Sequence, residues 1–189
     1  KKGQKVAALR GDRDAKEGVV LAKTTADNKT GITLCLSCET DFVSKNDDFI
    51  AFAQSIMDAA IANNVTSVEE LNAQEINGAK IADLVNDKLA SIGEKIGVSK
   101  FERIDAAFVS SYIHGANRMG VLVGLNEAQP EVGKDIPMQI AAMNPVAIDS
   151  SSVSAEVIER EKGVILELIK NDPKMAGKPE EMISKIAEG

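Results

Sequence analysis

The early segment 32–38 alternates apolar and polar residues, and the segment 18–25 before it is a run rich in strand-forming residues. The segment 27–31 between them is rich in Asp, Asn and Gly. Alternation with a period of two residues is typical of half-buried strands, and such intervening residues favour a turn. The two segments therefore predict a β-hairpin.

The apolar spacing changes to three and four residues directly after this hairpin. One predicted helix presents the stripe Phe49, Phe52, Ala53, Ile56, Met57 and Ala60. Ser67 with Glu70 resembles a capping box, and it predicts the start of a second helix. The apolar stripe of this second helix includes Ile81, Leu84, Val85, Leu89 and Ile92.

A similar order of elements recurs in the second half of the chain, after a strand predicted over 98–104. The pattern predicts strands over 107–113 and 119–125, a helix over 130–143 that Pro137 kinks or breaks, a short strand over 146–148, and helices beginning at Ser154 and near 177–179. The repeat is one of topology.

These elements together predict an α+β fold of two related subdomains, each an antiparallel hairpin-based sheet packed against helices. We expect a leader or linker over residues 1–17, because this segment is charged and punctuated by glycine. The N-terminal core subdomain is predicted over 18–105. The C-terminal core subdomain, with a helical extension, is predicted over 106–189.

Composition narrows the class of protein. Apolar residues make up 44% and charged residues 27% of the chain, which is the balance of a soluble globular protein. The net charge is −7 and the acidic residues are spread along the chain, which argues against binding nucleic acid through a basic face. No apolar run approaches the roughly 20 residues that span a bilayer.

The two cysteines, Cys35 and Cys38, favour a reducing compartment, and their spacing allows a redox pair or half of a zinc site. A zinc ion needs about four ligands, and the chain offers only His114 as a further soft ligand. Residues three apart on a strand point to opposite faces. Structural cysteines are therefore favoured, and a thiol oxidoreductase is kept as an alternative function.

Thr40, Asp41, Phe42 and Val43 follow the first hairpin, where the chain passes into a helix. Thr40 or Asp41 can cap the helix while Phe42 packs against it as a hydrophobic staple. Alternatively, Phe42 projects from a rigid corner as a wedge for a partner. The residues alone leave both interpretations open.

His114 and Gly115 lie on the turn predicted for the second hairpin. A solvated turn residue is the first interpretation of His114, and a residue that contacts a partner is the second.

Segment 38–49, which contains Thr-Asp-Phe-Val, resembles the signature of the elongation factor Ts family, and segment 111–123 is similar to the family's Tyr-x-His-Gly segment. Segments 92–96, 153–157 and 177–179 provide further matches in the family's order. The resemblance extends from roughly residue 5 to the end. It implies the core region of a bacterial-type factor, without the family's small N-terminal helical module and without its C-terminal continuation.

The resemblance implies a non-enzymatic, cytoplasmic guanine-nucleotide exchange factor that binds elongation factor Tu and promotes GDP release. It implies contacts to that GTPase from Thr40, Asp41, Phe42, Val43, Ile92, His114 and Gly115. The chain is expected to need no cofactor or metal, because Mg²⁺ and GDP belong to the partner, and to bind neither nucleic acid nor membrane. An interaction module without exchange activity stays open as an alternative, as does pairing of two copies.

Overall fold

The computed structural model describes residues 13–172, together with Met182, Ile183 and Ile186. The chain divides into two compact units, Lys1–Met143 and Asn144–Gly189. The predicted α+β class is confirmed, because the first unit combines antiparallel sheets with helices. The predicted boundary between residues 105 and 106 falls within this unit, between its three-stranded sheet and its second long hairpin.

The first predicted hairpin is confirmed. Strand β1 (Glu17–Thr24) pairs antiparallel with β2 (Thr30–Cys38). The predicted turn forms because the Asp27 carboxylate accepts hydrogen bonds from the Thr25 hydroxyl at 2.6 Å and the Lys29 amide at 3.2 Å. The later strand β5 (Gly97–Asp105) pairs with the other edge of β2, so that β2 is the centre of the sheet.

Four helices lie between β2 and β5: α1 (Asp41–Ser44), α2 (Asp47–Ala62), α3 (Val68–Ala73) and α4 (Ile81–Ile92). The predicted stripe of α2 is largely buried, and it forms one core with the side chains of β1 and β2 that face it. Ile32, Leu34 and Leu36 are spaced two residues apart on β2 and therefore lie on the same face of the strand. This face joins the core.

The prediction of one helix from Ser67 to Ile92 is wrong. The Ser67 hydroxyl does cap α3 by accepting from the Glu70 amide at 3.1 Å, but α3 ends after six residues. A small hairpin of β3 (Glu75–Ile76) and β4 (Ala79–Lys80) then precedes α4. Its turn places Asn77 at φ 54° and Gly78 at φ 81°, and an Asn-Gly pair favours this left-handed turn over a continuing helix.

The second predicted hairpin is confirmed as β6 (Phe108–His114) paired with β7 (Met119–Leu125). It packs against the face of the three-stranded sheet opposite the helices. A methyl group at Gly31 would lie 2.7 Å from Val109 Cγ1 and 2.8 Å from Leu122 Cδ2, so glycine permits this close approach.

Helix α5 (Pro130–Met143) packs against the second hairpin at Gly133, next to Phe108 and Ser110. Of the predicted kink or break at Pro137, the break is wrong, because the helix continues through this residue. Pro137 is buried, and the packing of its face of the helix offsets the hydrogen bond that proline cannot donate.

In the second unit, a 3₁₀ turn (Ser150–Ser152) precedes α6 (Ala155–Asn171). The helix predicted from Ser154 is confirmed, and the Ser154 hydroxyl caps it by accepting from the Val157 amide at 3.4 Å. The strand predicted over 146–148 is wrong: these residues are irregular, and Val146 and Ile148 are exposed. A three-residue apolar run forms a strand only beside a partner strand. The helix start predicted at 177–179 lies outside the described residues.

Within residues 13–172 and the three described residues near the C-terminus, no helix is long and apolar enough to cross a membrane.

Candidate functional site

Phe42 is the most exposed of the five Phe side chains, with 85% of its surface accessible to solvent. It lies on α1, a helix of four residues, whereas its neighbour Val43 packs against the core. The staple interpretation of Phe42 is therefore wrong, because a staple would be covered by the following helix. An exposed aromatic on an element anchored by its neighbour is suited to contact a partner.

The base of this corner is held by the carboxylate of Glu94. Its Oε2 accepts from the backbone amides of Glu39 at 3.0 Å and Thr40 at 3.1 Å, and its Oε1 accepts from the Thr40 hydroxyl at 2.6 Å. Thr40 occupies the N-cap position of α1 but makes no side-chain cap, so the predicted capping role of Thr40 is wrong. Its hydroxyl instead ties the corner to the loop after α4.

A second carboxylate, that of Glu39, joins the same two segments, and here the acceptor lies on the segment before α1. Glu39 Oε1 accepts from the Lys95 amide at 2.7 Å, and Glu39 Oε2 pairs with the Arg13 guanidinium at 3.0 Å. The Cys38 thiol adds a weak bond to the Thr40 carbonyl oxygen at 3.2 Å. Segment 38–40 is thus bonded from several directions before α1 begins.

Ile92 is the last residue of α4, and its side chain is 37% exposed. Gly93 then closes the helix in the left-handed conformation, with φ 80°, and this turn leads the chain directly to Glu94. Because Glu94 bonds to Thr40, Ile92 and Phe42 are presented by two segments that are fixed to each other.

Asp41 forms an ion pair within α1. Its Oδ2 accepts from Lys45 Nζ at 2.7 Å, four residues along the helix. The hydrogen bond and charge of Lys45 hold the pKa of Asp41 below its ordinary value, and the positive charge of Arg118 adds to this effect. Asp41 is therefore ionised at neutral pH, next to the exposed Phe42.

His114 and Gly115 are exposed at the turn between β6 and β7. Gly115, Ala116 and Asn117 all have positive φ, at 63°, 52° and 66°. Asn117 anchors the turn to the free edge of β1, since its carbonyl oxygen accepts from the Val20 amide at 2.8 Å and its side-chain amide donates to the Val20 carbonyl at 3.3 Å. His114 is thus exposed on a turn that is tied to the sheet.

Comparison with known proteins identifies the family. The family model described as Elongation factor TS matches residues 39–189. The chain belongs to the elongation factor Ts family.

Three relatives that match the whole of this chain illustrate the similarity. The elongation factor Ts of Christiangramia forsetii is 44% identical over 192 residues, which cover 100% of this chain and 68% of the relative. That of Flavobacterium psychrophilum is 41% identical with the same coverage. That of Kineococcus radiotolerans is 39% identical over 193 residues, also covering 100% and 68%. Membership of this family gives the chain a role in translation elongation.

The residues that the resemblance to the elongation factor Ts family singled out form two groups within the first unit. We call Thr40, Asp41, Phe42, Val43 and Ile92 the corner cluster, and His114 with Gly115 the turn cluster. His114 is accompanied by Tyr112, whose hydroxyl lies 3.0 Å from His114 Nδ1.

Sequence reasoning missed three residues that position these clusters: Glu94, Lys45 and Asn117. Glu94 stands within segment 92–96, which already resembles the elongation factor Ts family, so a signal for it was present. Asp41 and Lys45 have the i, i+4 spacing of a helical ion pair, so a signal for Lys45 was also present. The bonding of Asn117 has no sequence pattern, because it depends on docking of the turn.

The cysteines have the features of structural residues. Cys35 is half-buried and Cys38 is buried, and both are free thiols. Burial raises the pKa of the Cys38 thiol to about 12, and the negative charges of Glu94 and Glu17 contribute. A thiol with this pKa is protonated at neutral pH and is a poor nucleophile, which argues against the thiol oxidoreductase. Over the described ranges, no group of three His, Cys, Asp or Glu residues is arranged to hold a metal ion.

Proposed function

We propose that this chain is a guanine-nucleotide exchange factor that binds elongation factor Tu and promotes the release of GDP. Membership of the elongation factor Ts family supports this activity. The observation that carries it is the exposed Phe42 on a corner whose base is tied to Glu94. No bond is made or broken in this reaction, so the chain acts by binding and is not an enzyme in the usual sense.

The physical basis of exchange is thermodynamic coupling between two ligands of the GTPase. The chain binds the nucleotide-free GTPase more tightly than the GDP-bound form. By linkage, the chain weakens GDP binding by the same factor by which GDP weakens binding of the chain. Any contact that exists only in the nucleotide-free complex therefore promotes release.

The binding energy that Phe42 can supply is smaller than the differential binding that nucleotide exchange requires. Reversing a two-state population from about 1:99 to about 99:1 takes roughly 5.5 kcal/mol of differential binding. Burying one Phe side chain contributes roughly 1.5–3 kcal/mol. Phe42 therefore cannot supply the whole difference, and contacts from Ile92 and the turn cluster are required.

In this proposal Phe42 enters between helices of the nucleotide-binding domain of elongation factor Tu and disturbs its Mg²⁺ site. Thr40 and Val43 fix the position of Phe42, the first through its bond to Glu94 and the second through its contact with the core. Asp41 stabilises α1 through its ion pair with Lys45. Ile92 contacts the same domain. His114 and Gly115 contact a different region of the GTPase, so that the chain binds its partner through two separate contacts.

The test measures release of a fluorescent GDP analogue from elongation factor Tu, with increasing amounts of chain. Faster release that saturates, and that is strongly reduced in Phe42→Ala, is the expected result. Met138→Ala is the matched control, because Met138 is a partly exposed apolar side chain on α5, outside both clusters. Equal release rates with wild type and Phe42→Ala would show that Phe42 is not the wedge.

The same assay separates the main alternative. If the chain forms a stable complex with elongation factor Tu by gel filtration but leaves GDP release unchanged, it is an interaction module without exchange activity. If it neither binds nor accelerates release, the proposed function is wrong for this chain.

A further inference from the structure

The carboxylate of Glu94 bonds to three donors, and all three belong to the two residues that precede α1. Two are the backbone amides of Glu39 and Thr40, and the third is the Thr40 hydroxyl. We propose that Glu94 is a positioning residue that fixes the direction in which Phe42 projects. The proposal rests on the proposed exchange function, in which Phe42 is the wedge.

The position of these donors in the chain explains why the carboxylate matters. Strand β2 ends at Cys38 and α1 begins at Asp41, so Glu39 and Thr40 lie between the two elements. Their amides need an acceptor that neither the strand nor the helix supplies. Glu94 supplies it from another part of the chain, and its charge strengthens the bonds. The angle between β2 and α1 is therefore set by a carboxylate that belongs to neither.

The remaining contacts of the two segments predict a local effect when Glu94 is removed. The bond from the Lys95 amide to Glu39 still joins the segments, and Val43 still packs against the core. The partners of Glu94 are residues 39 and 40, which do not belong to the buried apolar stripe of α2 that contains Phe49. We therefore expect the corner to stay attached but to lose its fixed orientation.

A double-mutant cycle with Phe42 tests this role. GDP-analogue release is measured with wild type, Glu94→Ala, Phe42→Ala and the double variant, at concentrations of chain below saturation. Glu94→Ala alone is expected to slow release about tenfold, which is the scale of one charge-assisted hydrogen bond. In the Phe42→Ala background, removing Glu94 is expected to change release by less than about twofold, because no wedge is left to position.

Three results would overturn the proposal. If the effects of the two substitutions multiply in the double variant, Glu94 acts independently of Phe42, for example by touching the GTPase itself, and the exchange function stands. If Glu94→Ala leaves release unchanged, the carboxylate is not needed for the wedge. If Phe42→Ala itself has no effect, the wedge and the positioning role fall together.

Glu75→Ala is the matched control for charge and size, because Glu75 is exposed on β3 and lies outside the corner. This variant is expected to promote the release of GDP from elongation factor Tu at the wild-type rate. Hydrogen exchange of the Glu39 and Thr40 amides in the free chain gives a readout independent of the partner. These amides are expected to exchange faster in Glu94→Ala, while amides of β2 keep their protection.

Glu94→Gln keeps the test decisive if Glu94→Ala fails to fold. The amide keeps the size of the side chain and one acceptor oxygen, but it loses the charge that strengthens the three bonds, and its NH2 group cannot accept from the Thr40 hydroxyl. We expect slower release than wild type and the same coupling to Phe42→Ala. Release at the wild-type rate by a folded Glu94→Gln whose Glu39 and Thr40 amides exchange faster than in wild type would refute the positioning role.

Discussion

Phe42 and Phe49 belong to neighbouring helices, yet the accessible surface of Phe42 is 85% and that of Phe49 is 1%. The two side chains have the same intrinsic tendency to leave water. Their environments differ because the chain changes direction between them: Lys45 is the C-cap of α1 and Asn46 is the N-cap of α2. The Asn46 side chain caps α2 by accepting from the Phe49 amide at 3.2 Å. The comparison shows that burial follows the orientation of each short element rather than the residue type.

The buried region supports the exposed one. Phe49 is part of the core that also contains β2, and the end of β2 carries the corner. Phe42 is in turn held by bonds at the corner and adds little to the core. We therefore expect substitutions in the two regions to separate into losses of stability and losses of binding.

The largest expected effect comes from Phe49→Ala, which should lower the free energy of unfolding by about 3–5 kcal/mol, because it leaves a cavity in the core. Phe42→Ala is expected to change this free energy by no more than about 0.5 kcal/mol, since its side chain is solvated. Urea unfolding of both variants measures the difference. A large loss of stability in Phe42→Ala would contradict the assignment of Phe42 to the exposed region.

Gly31→Ala tests the packing of the second hairpin beneath the turn cluster. The added methyl group would lie 2.7 Å from Val109 Cγ1, so we expect a loss of roughly 1–3 kcal/mol in the free energy of unfolding. Gly97→Ala is the matched control on the adjacent strand, because its methyl group would have nothing within 4 Å. Equal stability of the two variants would show that the hairpin does not pack closely on the sheet.

His114→Ala extends the comparison to the second exposed cluster. We expect the complex with elongation factor Tu to weaken by roughly 1–2 kcal/mol, or about five- to thirtyfold in Kd, because the variant loses a contact side chain. Ser111→Ala, at an exposed position on the same strand, is expected to bind like wild type. Titration calorimetry measures both. Unchanged affinity of His114→Ala would remove His114 from the binding surface.

The smallest expected effect concerns the buried Cys38 beneath the corner. Its pKa is raised from 9.0 to about 12, so the unfolded chain releases this proton at lower pH than the folded chain. Stability from this group is complete below about pH 9 and is lost as pH rises toward about 12. Between about pH 8 and about pH 10 the loss should be on the order of 1 kcal/mol.

Cys38→Ala should remove that part of the pH dependence, because the thiol is absent. Urea unfolding of the wild type and the variant at both pH values measures the difference in slope. Equal slopes would show that burial does not raise the pKa of the Cys38 thiol.

Much of the fold could be predicted from the chain because its hydrophobic periods are local. Period two predicted β2, strand-like runs beside polar turns predicted β1, β6 and β7, and the stripe containing Phe49 predicted α2. The prediction failed where a local signal outweighed the stripe, as with Asn77 and Gly78, which interrupt the helix predicted after Ser67. It failed again over 146–148, where three apolar residues were too few to specify a strand.

The candidate site was found by resemblance, because the residues alone left Phe42 open between a staple and a wedge. The exposure of Phe42 depends on how α1 lies against its neighbours, and no periodicity encodes that arrangement. The same holds for His114, whose turn is fixed by bonds between Asn117 and Val20, two residues far apart along the chain.

The sequence by itself determined the α+β class, the long hairpins, the main helix and the family, since each follows from local patterns or from segments that keep their order. The tertiary structure decided which aromatic faces solvent and which carboxylate holds the corner. Glu94 and Thr40 meet only after β2, α4 and the intervening helices have packed, because the donors and acceptor come from distant parts of the chain. Contacts of this kind depend on long-range geometry, and that geometry exists only in the folded protein.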